Sequence, residues 1–265
     1  MLARGLGTRM RREDPKARLD PAQEKAAAIG SKAMMFFGGG RPFLDYVLSG
    51  LADAALEEVC LVIGPEHGEI RSYYGEASMP RRLRVSFAVQ REPLGTADAV
   101  LAAEGFAGEE DFLVVNSDNL YPSDALAGLA ALSGPGVALF DREALLAKSN
   151  IPPDRIAAFA VCVVGFDGTL EEILEKPDPE TLARLGPGAP VSMNCWRFSK
   201  AIFDACRRVP PSPRGELELP MAVHEAIRSG ARFLVVRSRE GVLDLSRRSD
   251  VAAVEERLRG VSANP

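Results

Sequence analysis

Two runs constrain what this chain can fold into more than anything else in it: "EEVCLVIG" (57–64) and "DFLVVNSD" (111–118). Each is a continuous apolar segment of strand length that ends in small or polar residues, as a strand buried on both faces does. "RPFLDYVLSGLADAAL" (41–56) and "GTADAVLAAEGF" (95–106) carry helical spacing between them. "GVALF" (136–140), "FAVCVVGF" (159–166) and "RFLVVRS" (232–238) continue the strand series, and "SKAIFDACRRV" (199–209) and "ELPMAVHEAIRSG" (218–230) the helix series. This alternation predicts an α/β fold with a mainly parallel sheet flanked by helices. With 265 residues, 46% of them hydrophobic, one domain with a sizeable core is expected.

Charge narrows the function classes. The net charge is -5 and no lysine-arginine block alternates with aromatic residues, so a nucleic-acid surface is not indicated. No apolar run approaches the ~20 residues that span a bilayer, and the charged N-terminus lacks a signal-peptide core, so no membrane partner and a cytoplasmic location are expected. Cys60, Cys162, Cys195 and Cys206 are scattered, without a C-x-x-C pair, and read as buried or free thiols. His67, in a turn-like segment, and His224, in a helix, read as surface or packing residues.

In an open α/β sheet, ligands bind at the carboxyl ends of strands, so polar residues that directly follow apolar runs come first. Asp118 is placed there as a hard oxygen ligand for Mg²⁺, with an Asx turn or helix cap as the plain alternative. Asp244, in "VLDLSRRSD", offers a second carboxylate. In "LARGLGTRM" (2–10), Gly5 and Gly7 let a loop turn its N–H groups inward around phosphate beside Arg9, although a short G-x-G also marks ordinary tight turns. Gln90, in "QREPLGTADAV" (90–100), has the donor and acceptor needed to read a nucleobase edge, and Gly95-Thr96 could approach a base or ribose. The plain reading of that turn is a helix start capped by Thr96. Glu175 and Lys176, in "ILEKPD", could meet hydroxyls and phosphate, or form a solvated surface pair.

Taken in order, these stretches resemble the nucleotidyltransferase family that joins sugar-1-phosphates to nucleoside triphosphates. "LARGLGTRM" is similar to its G-x-G-T-R phosphate loop, "KAMMFFGGGRPFLDYVL" to its lysine segment with glycine turn and helix, and "QREPLGTADAV" to its base-recognition stretch. "VVNSDN" is similar to the metal-aspartate strand end and "EKP" to the sugar-phosphate lysine motif, while "SMNCWRFS", "RGELEL" and "VLDLSRRSD" follow in the family's order. The resemblance covers nearly the whole chain and implies a Rossmann-like, mixed but mainly parallel sheet. It implies that Arg9 and Lys32 act on the triphosphate and Lys176 on the incoming sugar phosphate. Ala3, Gly5, Gly7, Thr8, Gln90, Gly95 and Thr96 would bind the nucleotide, and Asn119, Glu175 and Asn194 would lie near the sugar. Asp118 and Asp244 would hold Mg²⁺. The implied partners are a nucleoside triphosphate and a sugar-1-phosphate, with a homodimer in keeping with the family. The base leans towards UTP, and dTTP and CTP users share much of the pattern.

Four departures from that pattern bear on the structure. Only Met1 and Leu2 precede Ala3, so the first strand is expected to be nearly absent, leaving a gap in the sheet and a poorly anchored loop. The interval 11–31 is long, and "DPAQEKAAAIG" within it reads as an added helix or lid. Phe159-Ala160 stands where Tyr-Gly is common, and Asn194 where many members have glycine. A dehydrogenase is disfavoured because the loop lacks the third glycine of G-x-G-x-x-G. A non-catalytic nucleotide-sugar sensor is the remaining alternative, separated from the enzyme by pyrophosphate release.

Overall fold

The computed structural model describes residues 1–38, 40–77, 80–175 and 177–265. Its strands in chain order are β1 (Phe36–Phe37), β2 (Arg41–Pro42), β3 (Glu58–Ile63), β4 (Arg84–Val89), β5 (Phe112–Val114) and β6 (Asn119–Leu120). They continue with β7 (Gly136–Phe140), β8 (Val161–Val164), β9 (Leu170–Leu174), β10 (Val191–Phe198), β11 (Leu234–Ser238) and β12 (Leu243–Asp244). β3 and β4 pair in parallel along their full length. β10 runs antiparallel between β5 and β7, with Trp196 opposite Val114 on one edge and Val137 on the other, and β11 adds to β7 in parallel.

Residues Met1–Ala3 connect the β3 side of the sheet to the β5 side. Leu2 bridges Val62 and Asn116, parallel to both. Its N–H donates to the Val115 carbonyl (2.8 Å), its carbonyl accepts from Ser117 N–H (3.1 Å), and Ala3 N–H donates to the Val62 carbonyl (2.9 Å). The row is therefore β4, β3, the Met1–Ala3 stub, β5, β10, β7, β11, and only β10 runs against the rest. That row is the mainly parallel one the alternation predicts, while β8 joins β10 and β9 joins β8, both antiparallel, so the segment 159–166 does not continue the parallel series and the sheet as a whole is mixed.

Both faces of the row are covered, which explains the unbroken apolar runs. β7 is buried at all of its positions, with Ala138 and Phe140 entering one core cluster and Val137 and Leu139 the other. The first cluster takes in helices Phe43–Asp53 and Ser123–Ala130, and the second helices Thr96–Ala102, Ala201–Arg208 and Leu219–Arg228. The four cysteines are free and buried, as expected. Among the described residues no helix is long and apolar enough to cross a membrane. In the long interval before Lys32, residues Pro21–Ile29 form a helix. Asp20 and Gln23 close its first turn as a capping box, and Gly30 ends it in the left-handed region. Arg248 ties this helix down, donating to the Met10 carbonyl (3.1 Å) and pairing with Glu24.

The sheet has a gap between the amino ends of β3 and β5. There an apolar slot of about 290 Å³ is lined by Cys60, Val100, Phe106 and Val114, among others. The loop is better anchored than expected, because the stub's hydrogen bonds fall at the carboxyl end of the sheet. The Met1 ammonium is buried at the mouth of the slot and donates to the Cys60 carbonyl (2.9 Å). Burial pushes its pKa down to about 6. The unfolded chain then carries more protons than the folded one between about pH 6 and 8, so stability rises with pH across that window. Urea unfolding of the chain beginning at Met1 should show a gain of about 2 kcal/mol from pH 6 to 8. An N-terminal extension of about five apolar residues, enough for a buried strand, should flatten that slope and raise the melting temperature. An unchanged slope in the extended protein would count against this account of the slot.

Candidate active site

A cleft of about 430 Å³ opens at the carboxyl ends of the stub, β3, β4 and β5. The loop after the stub forms one wall. Gly7 has φ +62 and packs against Gly30, φ +76, so tightly that a Cβ on Gly7 would stand 2.4 Å from the Gly30 carbonyl oxygen. Gly5 has no such requirement, since a Cβ there would meet the Lys32 side chain at 3.9 Å, an ordinary contact. The expectation that both glycines serve the turn therefore holds for Gly7 alone. Ala3 is buried with its N–H committed to β3, so it contributes surface and no free donor. Thr8 and Arg9 begin the short helix Thr8–Arg11, exposed on the cleft, and Arg9 has no ion-pair partner among the described residues.

Beside the loop, Lys32 pairs with Asp118 at the end of the segment that follows β5. Asp244 is close behind. β12 pairs with β6 so that Asp244 faces Asn119, and Leu245 N–H donates to the Asp118 carbonyl (2.9 Å). Asp244 is buried, with one oxygen on Arg155 and the other accepting from Asn119 (3.1 Å). Arg155 is itself buried and also grips both oxygens of Asp250 (2.8 and 2.9 Å). Burial raises the Asp244 pKa, and the nearby Asp118 charge raises it further. The donor set suits a divalent cation, because two like-charged carboxylates are held together and each retains free lone pairs. No group of three or more His, Cys, Asp or Glu side chains gathers among the described residues. A hard cation would therefore complete its shell with water and phosphate.

Gln90 ends β4, buried, and its amide is oriented by its neighbours. Its Nε2 donates to the Gly95 carbonyl (3.0 Å) and to Asp98 (2.7 Å), so both of its donors are spent and only the Oε1 acceptor remains for a ligand. Gly95 has φ +122, and a Cβ there would lie 2.5 Å from the Leu217 carbonyl oxygen. Thr96 does not cap its own helix, as the plain reading had it. Its hydroxyl accepts from Leu219 N–H (2.9 Å), tying the start of helix Leu219–Arg228 to the cleft wall. Gln90, Gly95 and Thr96 all line the cleft.

Asn194, Glu216 and Ser246 also line the cleft. Asn194 has φ +56, within the register shift of β10 between Ser192 and Trp196. Asparagine is among the few side chains tolerated there, which accounts physically for its standing where glycine is common. Asp244 stands behind Asp118 and does not itself line the wall, and two expected sugar-side residues are not on the cleft either. Asn119 is buried and spends its amide on Asp244 and Asn116, so it supports a carboxylate rather than lining the wall. Glu175 is exposed beyond β9 and is absent from the cleft lining, and its charge acts on Arg214. Lys176 lies outside the described residues. Sequence reasoning missed Arg4, His67 and Arg155. Arg4 sat unremarked inside the quoted loop, and Arg155 carries no local signal, since its partners are 89 and 95 residues away.

A glycine loop, the Asp118 carboxylate and the basic side chains of Arg9 and Lys32 thus meet in a cleft at strand ends, the place where α/β folds bind ligands. Residues 27–245 match the nucleotidyl transferase family model, and the chain belongs to that family. It is 28% identical over 261 residues to the UTP–glucose-1-phosphate uridylyltransferase AglF of Haloferax volcanii, covering 97% of this chain and 95% of that protein. It is 30% identical over 232 residues to a glucose-1-phosphate thymidylyltransferase of Streptomyces griseus, covering 87% of this chain and 57% of the relative. Among solved structures, a putative glucose-1-phosphate thymidylyltransferase from Bacillus anthracis superposes with TM-score 0.72 at 19% identity, covering 98% of this chain and 94% of that one. A UDP-glucose pyrophosphorylase complexed with UDP-glucose gives 0.69 at 16% identity, covering 97% and 95%. These last two likenesses concern the fold.

Removing Arg155 would leave Asp244 and Asp250 buried without their cation. Arg155→Met should destabilise the protein by about 3–5 kcal/mol in urea unfolding at neutral pH. A loss below about 1 kcal/mol, within the range of exposed pairs, would show that the network is not the buried one described.

Proposed function

We propose that this protein joins a nucleoside triphosphate to a sugar-1-phosphate and releases pyrophosphate, with uridine or thymidine triphosphate as the nucleotide. The observation that carries the choice of base is Gln90. With both N–H groups spent, it can only accept, and uracil and thymine offer an N–H at ring position 3 where cytosine has an acceptor. The relatives' names, a uridylyltransferase and thymidylyltransferases, support the same two bases. The leaning towards UTP over dTTP has no counterpart in the geometry around Gln90.

An oxygen of the sugar phosphate attacks the α-phosphorus in line. A new P–O bond forms as the bond to the bridging oxygen breaks, and that electron pair leaves with pyrophosphate. No covalent protein intermediate is needed, so the chain's own residues position and neutralise. Arg9, free of ion-pair partners among the described residues, would fork across triphosphate oxygens from one side, and Lys32 would meet them from the other. Lys176 would bind the sugar phosphate, with Asn194 at that end. Asp118 and Asp244 would hold Mg²⁺, which supplies charge neutralisation on the triphosphate when bound. The Lys32 ammonium on Asp118 would then be released to the phosphates.

A panel of four nucleoside triphosphates against several sugar-1-phosphates, read by pyrophosphate release with Mg²⁺, tests the reading. Turnover with UTP or dTTP and none with CTP is expected, and nucleotide binding without turnover would favour the sensor instead. Asp118→Asn and Asp244→Asn should each lower kcat by on the order of a hundredfold under limiting Mg²⁺. Wild-type rates in both would remove the metal assignment. Arg9→Lys keeps the charge and loses the planar fork, so kcat should fall more than nucleotide affinity. An affinity loss at unchanged kcat would make Arg9 a binding residue only.

A further inference from the structure

We propose that Arg4 is a nucleotide-binding residue, its Nη1 reserved for an acceptor oxygen of the nucleoside triphosphate. Arg4 is the first residue beyond the stub, and its position is set by the hydrogen bonds of Leu2 and Ala3. Its side chain is only 6% exposed, yet it lines the cleft beside Gly5, with His67 and Gln90 further along the same wall. Nε and Nη2 are oriented by the Glu66 carboxylate (3.2 and 3.5 Å). Nη1 is buried and has no hydrogen-bond partner among the described residues.

A guanidinium can only donate, and orphaned buried donors are rare enough in folded proteins that each asks for a partner. The rest of the wall does not supply one. His67 spends its ring acceptor Nδ1 on Gly64 N–H (3.0 Å), and Gln90 Oε1 makes no hydrogen bond to Nη1. Glu66 is half exposed and serves as the clamp that fixes the fork while leaving its third corner to the cleft. The missing partner is therefore an oxygen carried by the ligand, either on a phosphate or on the base. This assignment rests on the nucleotide-binding half of the proposed function and adds a residue to it. It differs from the role given to Arg9, because a guanidinium clamped in the ground state adds to affinity rather than to rate.

The test compares wild type with Arg4→Met, which keeps the stem, and Arg4→Lys, whose single nitrogen is taken up by Glu66. Calorimetry with UTP and inorganic tripolyphosphate, and NMR titration with uridine, separate the two sources of oxygen. Both variants should bind UTP about ten- to a hundredfold more weakly, as for the loss of one charge-assisted hydrogen bond. KM for UTP should rise, with kcat and the sugar-phosphate KM unchanged. A loss shared by tripolyphosphate and absent for uridine upholds the proposal with a phosphate partner, and the reverse upholds it with a base carbonyl. Arg4→Lys keeps the pair with Glu66, so it should retain the wild-type melting temperature and carries the test if Arg4→Met does not fold. Wild-type UTP affinity in a folded Arg4→Lys would overturn the proposal. Wild-type protein that binds UTP and releases no pyrophosphate with any sugar-1-phosphate would overturn the transferase reading and leave Arg4 standing. Failure to bind any nucleoside triphosphate would overturn both.

Discussion

The backbone hydrogen bonds of Met1, Leu2 and Ala3 join the β3 side of the sheet to the β5 side, and the cleft depends on that join. Without it, β3 and β5 would face each other across a gap with unsatisfied backbone groups, and nothing would fix the loop that follows. The join is short but well placed. It falls at the carboxyl end, where Gly5, Gly7 and Arg9 leave the sheet, and leaves the apolar slot at the opposite end, away from the cleft. The anchored loop and the apolar slot thus occupy opposite ends of one strand position.

The loop anchored there is also held from outside the sheet. Gly7 and Gly30 meet backbone to backbone, so the helix Pro21–Ile29 ends against the glycine turn. Arg248 reaches from the segment after β12 to Met10 and Glu24. Asp250 lies in that segment and Asp244 ends β12 just before it; these are the two carboxylates on Arg155. The phosphate loop and the rear of the carboxylate site are therefore braced by one stretch of chain. Displacing residues 244–250 would disturb both, although they follow Arg9 by more than 230 positions.

Charge in and behind the cleft is arranged in ion pairs. Lys32 sits on Asp118, Arg155 on Asp244 and Arg4 on Glu66, while Arg9 has no ion-pair partner among the described residues. Each paired cation is pre-positioned, which lowers the ordering cost when a charged ligand arrives. The depths of the pairs decide their uses. Arg155 is buried behind Asp244 and holds it in place, whereas Lys32 and Asp118 are partly exposed and lie where a ligand can enter.

The α/β class, the covered sheet and most of the cleft could be read from the sequence, because each rests on local pattern. Apolar runs covered on both faces need helices on both sides, and polar residues ending such runs fall at strand ends, which placed Asp118 and Gln90 correctly in the cleft. Gly7 and Gly95 were visible as turn glycines, though the reason they must be glycine, the approach of Gly30 and Leu217, was not. The tertiary structure alone decided partnership. Asn119 and Asn194 are both polar residues beside apolar runs, yet the first turns inward to Asp244 and the second bends into the left-handed region on the cleft. Arg155 became framework only when chain 89 residues distant delivered Asp244, and Arg4 lost its solvent only when Glu66 and the cleft wall closed around it. Hydrogen bonding and burial of a charged side chain depend on what the fold brings within about 3 Å, and sequence spacing carries no record of that distance.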